Sequence, residues 1–119
     1  MKPEGFPKEE RVRRSPEFTR IFRDGKQVRG RFLTARWIAD PPTDLCRVGF
    51  AAGKRLGGAV IRNRLKRRMR EAYRRNKREL TCRGIAIVFV ASSRMIGCSA
   101  RDVTEDMIRV LREISGRAA

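Results

Sequence analysis

The stretch AVIRNRLKRRMREAYRRNKRE, residues 59–79, sets ten Lys or Arg side chains against two acids, Glu71 and Glu79. A segment with a net charge of +8 cannot sink into a core. It can be buried along one stripe only, and the remainder must face solvent or a polyanion. At about 100° per residue, Ile61, Leu65, Met69, Ala72, Tyr73 and Leu80 fall within roughly a third of a helical circumference. That stripe predicts a long helix, from about Ala59 to Leu80, anchored on a sheet. Arg62 lies at the edge of the stripe. Asn63, Lys66, Arg67, Arg70, Arg74 and Lys77 fill a broad adjoining arc, and Arg64, Arg68 and Arg75 form a narrower ridge on the other side. Only Glu71 has basic residues four positions away on both sides, Arg67 and Arg75. A solvated helix face normally mixes signs, and this one does not. Phosphates would supply the missing counter-charge, and the guanidinium fork meets them bidentately.

The rest of the chain agrees with a polyanion partner. Its 119 residues carry 30 basic and 13 acidic side chains, a net charge of +17. Residues 1–59 contribute +7, residues 60–79 contribute +8 and residues 80–119 only +2, so the polyanion-facing surface belongs to the first two thirds. With 40% hydrophobic residues the chain can build a modest core, and its length suits a single domain spanning 1–119.

The elements follow from local patterns. Residues 1–12 are polar, contain two prolines and read as a mobile basic arm. In SPEFTRIFRDGK, Ser15 suits an N-cap, Pro16 the first helical position and Gly25 the stop; Phe18, Ile21 and Phe22 share one face. KQVRGRFLTARWIA reads as extended chain broken at Gly30. Its alternation puts Phe32, Thr34, Arg36 and Ile38 on one face, and Leu33, Ala35 and Trp37 on the other. DPPTD is a turn, CRVGFAA a strand and GKRLGG a basic loop. GIAIVFVA, residues 84–91, is an apolar run expected to form a buried strand. SARDVTEDMIRVLREIS carries the helical stripe Val103, Met107, Val110, Leu111 and Ile114. The expected fold is α/β (α+β), a two-layer sandwich in the order α-β-β-β-α-β-α with about four strands in a mixed sheet.

Several chemistries find no support. GFAAGKR lacks the glycine spacing and the Ser or Thr of a Walker loop. Ser92 and Ser93 have no histidine to act as base, because the chain contains none. Cys46, Cys82 and Cys98 are far apart and read as reduced thiols, and the acids form no metal-binding cluster. No catalytic or metal-ligating residue is therefore expected. The N-terminus lacks the apolar run of a signal peptide, and no stretch approaches the ~20 apolar residues of a membrane span. A soluble, cytoplasmic protein with no membrane partner is expected.

At VGFAAGKRLGGAVIRNRLKRRMREAYR, residues 48–74, the sequence resembles the protein subunit of bacterial ribonuclease P. The family pattern is a strand, a lead-in K-[KR]-x-G-x-A-V-x, and an RNR helix continuing [LI]-K-R…R. The matching residues are Lys54, Arg55, Gly57, Ala59, Val60, Arg62, Asn63, Arg64, Leu65, Lys66, Arg67 and Arg70. RxRRSPEFTRIFRDGK also resembles the family's first helix, and the resemblance covers roughly residues 9–114.

The resemblance implies a subunit of a ribonucleoprotein that removes 5′ leaders from precursor tRNA, with an RNA subunit carrying the catalysis and holding magnesium together with the substrate. The protein alone would be inactive. Its implied RNA contacts are Lys54, Arg55, Arg62, Asn63, Arg64, Lys66, Arg67, Arg70 and Arg74, with no DNA partner. It also implies a left-handed β-α-β crossover containing the RNR helix, as in the second domain of a small-subunit ribosomal protein; the general rule would give the right-handed form. A leader cleft is implied beside the first helix, where Phe18, Phe22 and Trp37 would stack bases at ~1–3 kcal/mol each. For Phe18 and Phe22, core packing is the competing reading. The family's strand tyrosine is replaced by Ala35, with Trp37 as the candidate substitute. The rival function is a ribosomal or general RNA-binding protein, which composition fits equally well and only the RNR block and its lead-in disfavour.

Overall fold

The computed structural model describes residues 15–39 and 46–118. The proposed basic arm and the DPPTD turn lie outside the described residues. Helix α1 (Ser15–Asp24) is followed by strands β1 (Lys26–Arg29), β2 (Leu33–Ala39) and β3 (Cys46–Ala51). Helix α2 (Ala59–Asn76), strand β4 (Ile85–Ala91) and helix α3 (Ala100–Ala118) complete the chain. The order α-β-β-β-α-β-α is the one expected.

The four strands form one mixed sheet in the order β1-β2-β4-β3. β2 runs antiparallel to both β1 and β4, and β3 runs parallel to β4. β3, α2 and β4 thus form a parallel β-α-β unit. β4 is central, which explains its composition. Ile85, Ile87, Phe89 and Ala91 face the main core with α2 and α3, while Ala86 and Val88 face the other side. A strand covered on both faces has no polar alternation to show.

The main core lies between the sheet and the helices α2 and α3. Val103, Met107, Val110, Leu111 and Ile114 are all buried there, as their spacing predicts. Phe50, Tyr73 and Phe89 meet with ring centroids 5.6–6.3 Å apart. The short α1 occupies the opposite face, where Ile21 is buried against Ala86 and Val88. It adds a small layer to the expected two-layer sandwich. Gly25 ends α1, its amide returning to the Ile21 carbonyl at 2.8 Å; a Cβ there would sit 2.3 Å from that oxygen. Cys82 and Cys98 are free thiols, half-buried, and half-buried Cys46 accepts from the Tyr73 hydroxyl at 3.9 Å.

α2 differs from expectation at both ends. Leu65, Met69, Ala72 and Tyr73 are buried, but Ile61 is 38% exposed and Val60 72%. The α-helix stops at Asn76, whose side chain donates to the Ala72 carbonyl at 2.8 Å. Residues Lys77–Glu79 tighten into a 3-10 turn, leaving Leu80 outside the helix. Periodicity alone cannot see this change of pitch. Burying Leu65 and Met69 contributes ~1.5–3 kcal/mol each. The like-charged pairs Arg62–Lys66, Arg64–Arg68, Lys66–Arg70 and Arg70–Arg74 cost about 0.2–0.5 kcal/mol apiece. Packing therefore wins, and the helix holds its charge in place.

Candidate nucleic-acid interface

The approach to α2 is built to expose cations. After β3 the chain makes a 3-10 turn at Lys54–Leu56, with Leu56 buried and Lys54 and Arg55 exposed. Gly57 follows at φ 140°, a conformation that L side chains rarely adopt, and a Cβ there would lie 2.8 Å from Ile61 Cδ1. Gly58 caps the helix without a side-chain hydrogen bond, and the first turn contains no acid. The positive end of the helix dipole is therefore left uncompensated from within the helix.

Asn63 is exposed, and its side chain makes no hydrogen bond among the described residues. Since Gly58 holds the cap position, Asn63 does not serve as a local cap. Arg62 is half-buried and its Nε has no partner among the described residues. Arg70 stands over the Phe50 ring, 5.6 Å from its centroid, and Arg68 donates to the Cys98 carbonyl at 2.7 Å. Arg67, Arg68 and Arg75 also line a groove of about 340 Å³ against Ala100 and Thr104 of α3.

Ion pairing divides the basic residues into two populations. Among the described residues, no acid pairs with Lys54, Arg55, Arg62, Arg64, Lys66, Arg67 or Arg70. Further along α2, Glu71 accepts from both Arg74 and Arg75, the latter at 2.8 Å. These two guanidinium groups lower the Glu71 carboxyl to about 2. On α3, Arg101 pairs with Glu105, Arg117 with Glu113 and Arg112 with Glu79, at 2.8–3.2 Å. Arg74 is thus the one proposed α2 contact already engaged by an acid.

The three proposed cleft residues do not come together. Phe18 is half-buried beside Ala86 and Val88, and Phe22, one turn on, is 38% exposed. Trp37 is only 4% exposed and lies on the opposite face of the sheet, with Lys26 Nζ 5.2 Å from its ring centroid. The reason is strand alternation: Leu33, Ala35 and Trp37 all point to α2 and α3. The grouping of Trp37 with Phe18 and Phe22 is corrected accordingly. On the α1 face the structure supplies two residues not proposed from sequence. Arg47 pairs with Glu17 of α1, and Arg36 donates to Gln27 Oε1 at 3.1 Å. The β2 alternation already separated Arg36 from Trp37, whereas Arg47 lies on β3 and is brought to this face by its register with Ala86.

The sequence profile described as ribonuclease P matches residues 6–115. The chain belongs to the ribonuclease P protein family. A ribonuclease P protein component from Clostridium botulinum is 32% identical over 106 residues, covering 89% of this chain and 95% of that one. The corresponding component from Gluconacetobacter diazotrophicus is 31% identical over 109 residues, covering 92% and 94%. Among solved structures, the Staphylococcus aureus RNase P protein superposes with a TM-score of 0.77 at 25% identity, covering 88% and 94%. The Thermotoga maritima RNase P protein gives 0.77 at 28%, covering 87% and 96%. Membership of the ribonuclease P family accounts for the RNR block and its glycine lead-in together, and it disfavours the general RNA-binding alternative.

Among the described residues no helix is long and apolar enough to cross a membrane, and no group of three or more His, Cys, Asp or Glu could hold a metal ion.

Proposed function

We propose that this chain binds the catalytic RNA of ribonuclease P through Lys54, Arg55, Arg62, Asn63, Arg64, Lys66, Arg67 and Arg70. The observation that carries this reading is the segregation of unpaired cations. The first half of α2 and its lead-in hold cations without acids, whereas Arg101, Arg112 and Arg117 of α3 are paired with Glu105, Glu79 and Glu113. Unpaired arginines held by a packed helix form a fixed row of phosphate sites, and binding there releases counterions from the RNA. Arg74 would join this row only by exchanging Glu71 for a phosphate.

The 5′ leader of precursor tRNA would lie along the α1 face of the sheet, against Phe22 and the exposed side of Phe18. In this reading the RNA subunit and substrate hold the magnesium ions and perform the cleavage. The protein lowers the magnesium requirement by supplying fixed positive charge. The test is reconstitution at low magnesium with catalytic RNA and precursor tRNA. Added protein should raise cleavage at the mature 5′ end, and protein alone should cleave nothing. No stimulation at any magnesium concentration would overturn the reading.

A further inference from the structure

The turn between β1 and β2 lies at the same end of the sheet as the start of α2. Leu33 pairs with Ala91 and Ala51 with Val90, so β2 begins where β3 and β4 end. This turn is held from two sides. Asp106 of α3, 1% exposed, accepts the Arg31 amide at Oδ1 (2.8 Å) and the Phe32 and Leu33 amides at Oδ2 (2.9 and 3.0 Å). Opposite, Ser92 donates its amide and its hydroxyl to the Phe32 carbonyl, at 3.1 and 2.8 Å. A buried carboxylate is costly to desolvate unless fully hydrogen-bonded, and three amides from one turn satisfy it.

What this clamp presents is charge. Arg29 and Arg31 are exposed on either side of Gly30, and Ser92 leads within two residues to exposed Arg94. None of the three has an acidic partner among the described residues. The acids of the adjoining α3 turns are committed elsewhere. Asp106 holds the turn, Asp102 accepts the Ser99 amide at 3.1 Å, and Glu105 pairs with Arg101. The β1 and β3 edges are three strand spacings apart, about 14 Å. The Arg29–Arg31 corner and the Lys54–Arg55 turn therefore cap opposite sides of one sheet end, with α2 starting from the second.

We propose that the Gly30 turn is a second RNA phosphate-backbone contact, made by Arg29, Arg31 and Arg94 and positioned by Asp106. A corner held by a buried carboxylate loses little side-chain and backbone freedom when it binds, which is what a fixed phosphate site requires. The proposal rests on the ribonuclease P reading but uses residues outside the RNR helix and its lead-in. The phosphates could belong to the catalytic RNA or to the precursor tRNA.

The test uses the full chain with R29A/R31A/R94A changed together, beside R62A/R64A/K66A/R67A. Affinity is measured against salt in two arms: protein with catalytic RNA, and reconstituted holoenzyme with precursor tRNA. The corner variant should melt like the parent, because its side chains are exposed. Its salt slope should fall by about 2–3 in one arm, at about 0.7–0.9 per lost phosphate contact. The arm that responds identifies the RNA. Asp106→Asn, measured well below its own melting temperature, should lower the same slope and add nothing when combined with the triple change. Unchanged slopes in both arms, with the α2 variant flattened, would overturn the corner contact and leave the α2 reading standing. A flattened corner variant with a silent α2 variant would do the reverse.

Discussion

Gly30 and Asp106 occupy one space: a Cβ on residue 30 would lie 2.5 Å from Asp106 Oδ2 and 2.7 Å from Oδ1. The missing side chain lets a carboxylate of α3 reach the amides of Arg31, Phe32 and Leu33. Gly30→Ala should therefore push the carboxylate out of the turn and destabilise the protein by about 2–4 kcal/mol, from overpacking and lost charge-assisted hydrogen bonds. Denaturant unfolding measures this directly. Gly53→Ala is the control, since a Cβ there meets nothing within 4 Å, and should stay within about 0.5 kcal/mol.

Replacing Arg62, Arg64, Lys66 and Arg67 together with alanine should leave the fold intact. None of the four belongs to the buried set Leu65, Met69, Ala72 and Tyr73. Thermal melting should hold or rise slightly as like-charge repulsion is relieved. Affinity for catalytic RNA should fall, and its salt slope should flatten by about 3. A native slope would move the RNA contact off α2.

Phe22 and Trp37 should now behave oppositely. Phe22→Ala removes an exposed ring, so stability should change by under ~1 kcal/mol. Binding of precursor tRNA to the holoenzyme should weaken, while binding of mature tRNA, which lacks the leader, should not. Trp37→Ala empties a core site and should cost ~3–5 kcal/mol, reducing both kinds of binding through unfolding. Equal loss for both tRNAs in a normally melting Phe22 variant would remove the leader from this face.

Glu71→Gln tests the one acid within α2. Its side chain is 46% exposed, so losing its pairs with Arg74 and Arg75 should cost under ~1 kcal/mol. The Arg75 guanidinium is then released from its acid, and RNA affinity should rise with a salt slope steeper by about 1. The Glu71 carboxyl is lowered to about 2, so the stability from its pairs is complete above the ordinary carboxylate range. It disappears only as pH falls through about 2. The effect of the substitution on binding should therefore be flat from about pH 5 upward.

Much of this protein is written locally. The α2 stripe, the α3 stripe and the apolar run of β4 are periodic signals that any packed solution must bury. The RNR block and its lead-in are contiguous, so they identify the family without knowledge of the fold. The cation surplus is equally visible, because charge is additive along a chain. The division between paired and unpaired arginines was only half visible: the i,i+4 acids of α3 can be read from sequence, but Arg112–Glu79 and Arg47–Glu17 cannot.

Tertiary structure decided what periodicity leaves open. Alternation in β2 separates Trp37 from Arg36, yet it does not say which face meets α1; the path of the chain assigns that, and it put Trp37 in the core. Asp106 sits within an amphipathic helix beside Glu105, where an acid reads as surface. Its partners are 73–75 residues earlier in the chain, in a turn whose amides become acceptable neighbours only when α3 packs over β1 and β2. A buried charge is tolerable only with donors already in place, and that condition belongs to the folded chain, not to any stretch of its sequence.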